Sequence, residues 1–214
     1  MGHDNSFKRL GAYPCIDRNI MKKIFKKIRK LAEPYLATRK NDLHTDISTH
    51  MAYALIKELG GVEGIIIPAV TLHDVGWKTV PEERQLEAFG PEATRPDLNR
   101  RHELEGVRIA GEILTTVDYD EDKTREILEI IGGHDSRKEA LSLNDRIVKD
   151  ADKLWRFTRE GFIIDTQRFR ESPAEGLNRL ESRLGSWLFT DTAKRIARAE
   201  LAQRYAEASM GDPP

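Results

Sequence analysis

Six histidines stand in this 214-residue chain, and four of them keep company that could do chemistry. His44 lies near the start of an apolar-periodic stretch. His73 is followed by Asp74, His102 by Glu103, and His134 by Asp135. Further on, the run Val148-Lys-Asp-Ala-Asp-Lys-Leu places Asp150 and Asp152 beside apolar positions. Imidazole nitrogens and carboxylate oxygens are the ligands that Mn, Fe, Co, Ni or Zn accept, whereas an all-oxygen shell suits Mg or Ca. No thiolate set is present, which argues against a structural zinc site. Taken singly, each residue has an ordinary explanation as a packed or surface group. These two His-Asp pairs and the Asp pair beside apolar positions together exceed what composition predicts. His44 and His50, six residues apart on one helix, point about 120° from each other, so one ion is not served by both. Adjacent residues diverge by roughly 100° within a helix, so His73 and Asp74 converge on one ion only at a helix end. Gly76 supplies such an end.

These residues have to be carried by helices. Arg18–Leu36 is basic and amphipathic, with Ile20, Ile24, Ile28 and Leu31 in one stripe and Pro34 expected to end or bend it. A second helix is expected over Asp42–Leu59, stopped by Gly60-Gly61, and a third over Glu63–Asp74. Pro81 to Pro96 reads as loop or short helices. Helix resumes over Leu98–Thr116, Asp122–Ile131 and Leu143–Arg156, and a last pair covers Pro173–Leu184 and Thr190–Ala208. Asp118 to Asp122 is an acidic turn without the spacing of a calcium loop. No hairpin signal or internal repeat appears. The expectation is an all-α fold: a basic N-terminal segment over residues 1–36, a core over 37–160, C-terminal helices over 161–209 and a disordered tail over 210–214. Trp187, Leu188, Phe189, Ile196 and Leu201 either join that core or form a homodimer contact.

Lys plus Arg (35) balance Asp plus Glu (36), which gives no support to nucleic-acid or membrane-surface binding, and the basic first helix lacks base-reading motifs. The most apolar run, Val62 to Leu72, is too short for a bilayer. The single Cys15 fits a reducing compartment. Met1-Gly2 with Ser6 superficially fits a myristoylation pattern, but the start lacks the order of a signal peptide, and a cytoplasmic location is expected.

Leu72-His-Asp-Val-Gly-Trp resembles the signature of the HD-domain metal-dependent phosphohydrolases. Their pattern is a His, then a His-Asp pair, then a distant Asp, all projecting from a helical bundle. The resemblance runs from about Asp42 to Phe157. It implies that His44, His73, Asp74 and Asp152 hold one divalent ion, with His44 preferred over His50 because it precedes His73 by 29 residues, and Asp152 matching the ligand position better than Asp150. Arg101-His-Glu-Leu-Glu-Gly and Ile130-Ile-Gly-Gly-His-Asp resemble the segments that carry extra histidines in some subfamilies. By that resemblance His102 and His134 hold a second ion with Asp74 as the bridge.

The implied chemistry is hydrolysis of a small phosphorylated metabolite, a nucleotide being the first candidate, with Mn or Fe favoured and Ni, Co, Zn or Mg as alternatives. Asp74 and Asp135 are the candidate catalytic carboxylates. Arg137, Lys153, Arg101 and Lys78 are candidate phosphate binders, Arg for its bidentate fork. Trp77, Trp155 and Phe157 line the site or stack on a base. Two other readings fit the same ligands: a di-iron oxygenase of the HD-like type, and a non-catalytic nucleotide sensor.

Overall fold

The computed structural model describes residues 21–209. Cys15, the Met1-Gly2 pattern, the first turn expected from Arg18 and the tail at 210–214 lie outside the described residues. Within them every regular element is helical: α1 (Lys23–Leu36), α2 (Asn41–Leu59), α3 (Glu63–Leu72), a 3-10 turn (Val75–Thr79), α4 (Glu82–Gln85), α5 (Pro96–Thr116), α6 (Glu121–Ile131), α7 (Leu143–Leu154), a second 3-10 turn (Trp155–Phe157), α8 (Arg159–Phe169), α9 (Pro173–Trp187) and α10 (Asp191–Ser209). The all-α expectation holds.

The middle of the bundle is α3. Residues Ile65 to Leu72 are all buried, and α1, α2, α6 and α7 pack around them. A helix apolar on every side belongs inside, not on a surface. Pro68 sits within α3 and has no N–H to offer the carbonyl one turn back. The Gly64 carbonyl finds another donor, the Tyr119 hydroxyl at 2.6 Å. Pro34 likewise does not terminate α1, which runs on to Leu36. Gly60, with φ of +78°, closes α2 as expected by donating its N–H to Ile56 O.

Side-chain caps set the starts of the later helices. Asp120, Ser142 and Thr158 accept the N–H groups of Lys123, Asp145 and Gly161, and Ser172 with Glu175 forms a capping box at α9. The hydropathy pattern gives no sign of α8, because Phe162, Ile164, Asp165 and Thr166 bury apolar and polar positions together. The C-terminal apolar residues pack on the common core: Leu188, Ala193, Ala197 and Leu201 join the cluster that begins at Met21 and Phe25, and Trp187 and Ile196 lie against it. Among the described residues, no helix is long and apolar enough to cross a membrane.

Candidate metal centre

Both His-Asp pairs occupy the turn that follows a helix. α3 ends at Leu72 rather than Asp74, and His73-Asp74 leads into the 3-10 turn; His134-Asp135 follows the end of α6 at Ile131. There the two side chains of each pair can face the same way. Gly76 lets this turn lie against α5. A Cβ at that position would come within 1.9 Å of His102 O and 2.5 Å of Gly106 N, so no larger residue fits without moving the helix.

Seven side chains converge. His44 Nε2 lies 2.9 Å from His73 Nε2, 3.4 Å from Asp152 Oδ1 and 3.5 Å from Asp74 Oδ2. His73 Nε2 is 3.5 Å from Asp152 Oδ1. On the other side of Asp74, its Oδ1 lies 3.6 Å from His134 Nε2 and 3.8 Å from His102 Nε2. These two nitrogens are 3.3 Å apart, and Asp135 Oδ2 is 3.7 Å from the first of these histidines, His102. Around an ion with ligands at about 2.0–2.1 Å, neighbouring ligand atoms sit roughly 3.0–3.4 Å apart, so these spacings suit one cation beside His44, His73 and Asp152 and another beside His102 and His134.

The protonation pattern fits as well. His73 Nδ1 meets Val70 O at 2.7 Å and His134 Nδ1 meets Ile131 O at 2.9 Å, each three residues back. A carbonyl accepts only from N–H, so Nδ1 carries a proton in each ring and each Nε2 is directed into the cluster. Two buried imidazole nitrogens 2.9 Å apart repel unless a proton or a cation lies between them. Burial pushes His44 down to about 3 despite Asp74, and His102 down to about 4 with the help of His134. Burial opposes the charged form of His134 too, but Asp135, Asp74 and Asp152 outweigh it and raise it to about 9. Asp152 stays well below the usual carboxylate range: burial is overcome by Lys153, His73 and His44.

Further side chains hold this arrangement. Glu103, fully buried, accepts the N–H groups of Asp135 and Ser136 and the Ser136 hydroxyl. Lys149 Nζ donates to Gly133 O, His134 O and Arg137 O, tying the same turn to α7. Trp77 stacks on the His102 ring at 4.0 Å and donates its indole N–H to Asp74 Oδ1. Trp155 meets His44 edge-on at 4.8 Å, while Phe157 is wholly buried in the core.

The remaining expected residues are distributed unevenly. Lys153 Nζ bridges Asp135 Oδ1 and Asp152 Oδ2, both at 2.6 Å. Asp150 belongs to a different interaction: it accepts from Phe189 N, Thr190 N and the Thr190 hydroxyl, which anchors the start of α10. His50 is half-buried away from the cluster. Arg137, Arg101 and Lys78 do not line the pocket described below. Arg137 pairs with Asp145, Arg101 is exposed one position off the His102 face of α5, and Lys78 reaches Ala37 O from the surface.

The cluster opens into a pocket of about 630 Å³. Its cations are Lys153 together with Arg39, Arg156, Arg168, Arg179 and Arg183, and its aromatic walls include Trp77, Phe89, Trp155 and Phe169. Sequence reasoning missed these arginines. Arg156 had a signal, since it follows Asp152 by one helical turn; Arg39 and Arg168 arrive only through the fold.

The family profile described as HD domain matches residues 44–156, a little over half of the chain. The chain belongs to the HD domain family. Neither the curated proteins nor the solved structures give a match. HD domains are often metal-dependent hydrolases, and the buried His and Asp groups of this one fit divalent metal binding.

Proposed function

We propose that this HD domain is a metal-dependent phosphohydrolase acting on a small phosphorylated metabolite, with a nucleotide as the first candidate. The observation that supports it is the joining of the His and Asp cluster to one pocket lined by cations and aromatic rings. His44, His73, Asp74 and Asp152 would hold one divalent ion, and His102 and His134, with Asp74 between, a second. The chemistry such ions supply when bound is the acidification of water and the neutralisation of phosphoryl charge. Mixed nitrogen and oxygen ligands favour Mn or Fe.

The chain's own residues do the rest. Lys153 offsets the charge of Asp135 and Asp152 and lines the pocket as a cation for phosphoryl oxygens. Asp135 is the most exposed of the three centre carboxylates, with 22% of its side chain accessible. Its backbone is fixed by Glu103 and its Oδ1 by Lys153, so one oxygen is left to take or give a proton. Arg39 lies against the Trp77 and Phe89 rings and lines the pocket beside Asp74.

A panel of phosphate esters, assayed for phosphate release with Mn or Fe in anaerobic buffer, tests this reading. Hydrolysis of a small ester without oxygen is the expected result. Oxygen consumption with iron and no phosphate release would replace it with oxygenase chemistry, and tight nucleotide binding with no turnover under any metal would replace it with a sensor. Metal analysis of a His102→Ala variant counts the ions: the expected change is from two to one.

A further inference from the structure

Three arginines from separate elements line the pocket beside the metal centre: Arg39 before α2, Arg156 in the second 3-10 turn and Arg168 in α8. They share one carboxylate outside the centre, Asp165, which is 1% exposed. It accepts from Arg156 Nη1 and, at 3.0 Å, from Arg168 Nη1. Arg39 has no carboxylate of its own. Its closest is Asp74 Oδ2 at 4.0 Å, which belongs to the metal cluster. Arg179 also lines the pocket, but Glu171 accepts from it through both oxygens, at 2.8 to 3.0 Å, so its charge is already answered.

Arg39 is set in place rather than left to swing. Its side chain is 9% exposed, and its guanidinium lies over the rings of Trp77 at 4.6 Å and Phe89 at 4.4 Å. Its backbone is left-handed, with φ of +47°, a conformation uncommon for residues other than glycine. Arg168 Nη2 donates to Arg39 O at 3.1 Å, and Arg39 Nη2 donates to Asn41 Oδ1 at 3.2 Å. Yet Arg39 Nε is buried without any acceptor. Three guanidiniums beside one carboxylate, with a buried donor left over, carry two units of positive charge that no carboxylate outside the metal cluster answers.

We propose that Arg39, Arg156 and Arg168 form a second phosphate subsite, so that the substrate carries two phosphates, one at the metal centre and one on these guanidiniums. This rests on the phosphohydrolase reading above and deepens it. Two unanswered positive charges match a phosphate dianion, and the planar forks of arginine suit its oxygens better than a lysine would. Lys153, bound to Asp135 and Asp152, serves the first phosphate.

The test compares ligands with one and two phosphates on the full Mn-loaded chain. Binding of inorganic phosphate against pyrophosphate, and of a nucleoside 5′-monophosphate against a nucleoside 3′,5′-bisphosphate, is measured by calorimetry for the wild type, Arg39→Asn and Arg168→Gln. Asn tolerates the left-handed backbone, so Arg39→Asn removes the guanidinium without straining the turn. At least one two-phosphate ligand is expected to bind the wild type about tenfold or more tightly than its one-phosphate counterpart, and each variant to lose about ten- to a hundredfold for that ligand while one-phosphate binding changes little. The subsite is wrong if neither two-phosphate ligand has an advantage, or if the variants weaken both kinds equally. Melting temperatures of the variants separate loss of the subsite from loss of the fold, because a merely structural arginine lowers both affinities together with stability. The readout does not need turnover. A protein that hydrolyses nothing but keeps an arginine-dependent preference retains the subsite and loses the phosphohydrolase reading; one that hydrolyses monophosphates with no such preference does the reverse.

Discussion

The two His-Asp pairs are the same dipeptide in the same local setting, and they do different things. Each follows a helix end, and each histidine gives its Nδ1 proton to the carbonyl three residues back. Local structure alone therefore aims both Nε2 atoms identically. What differs is the surroundings. Asp74 is 7% exposed and stands within 4 Å of His44, His73, His102 and His134, so it touches both halves of the cluster. Asp135 is more open, and within that distance it meets His102, His134 and Lys153. The first pair is pressed against α5 through Gly76; the second is held from outside by Glu103 and Lys149. Identical sequence signals thus become a shared centre and a one-sided edge through tertiary packing.

Substituting the two aspartates breaks this comparison most directly. Asp74→Asn is expected to lower metal retention in both halves and to cut hydrolysis by more than the about 10–100-fold typical of an outer partner. Asp135→Asn is expected to leave the ion beside His44, His73 and Asp152 in place and to cost about tenfold in the other half. Elemental analysis of the two purified variants, alongside phosphate release, decides it. Equal metal loss in both would show that the pairs are equivalent after all.

The unequal roles also mark how far the sequence could be read. A site suited to metal restricts residue type, so His44, His73-Asp74, His134-Asp135 and Asp152 are legible as a pattern in the sequence. The helices that carry them were visible through periodicity and stop signals such as Gly60. Substrate-facing charge was not visible in that way. Arg101, Arg137 and Lys78 are near the motifs in sequence, yet a helical step of roughly 100° or a waiting partner such as Asp145 takes them elsewhere. Arg39 and Arg168 lie 129 positions apart and meet only through the fold, where Arg168 near the end of α8 reaches the turn ahead of α2. Asp150 and Asp152 are two residues apart on one helix, and nothing local to them says that one secures the α9–α10 connection while the other faces His44 and His73.

Glu103 offers a finer way to sharpen the contrast. It accepts three hydrogen bonds from the turn after His134 and none from the turn after His73. Glu103→Gln keeps the shape but replaces an acceptor oxygen with an amide that cannot accept. The expected effect is about a tenfold weaker hold on the ion beside His102 and His134, with the other half unchanged. A metal titration that resolves two affinities checks this, and a change confined to the first half would reverse the assignment.

The smallest expected effect is one of pH, and its sign follows from His134. Three carboxylates raise this buried histidine from the ordinary 6.5 to about 9, so in the metal-free chain it holds a proton through neutral pH. That bound proton stabilises the metal-free fold fully below about 6.5 and progressively less as pH rises toward 9. An ion taking the same Nε2 must displace the proton, so metal affinity should run the other way, rising by up to about tenfold per pH unit until about 9 and then flattening. Melting temperatures between pH 6.5 and 9, with chelator and with Mn, should therefore diverge as pH increases. In His134→Asn the proton and the ligand are both gone from that position, and the divergence should shrink. His73 is raised as well, its burial outweighed by Asp74 and Asp152, so if the variant diverges as strongly as the wild type, the first pair carries the effect and the two His-Asp turns differ less in charge than in contact.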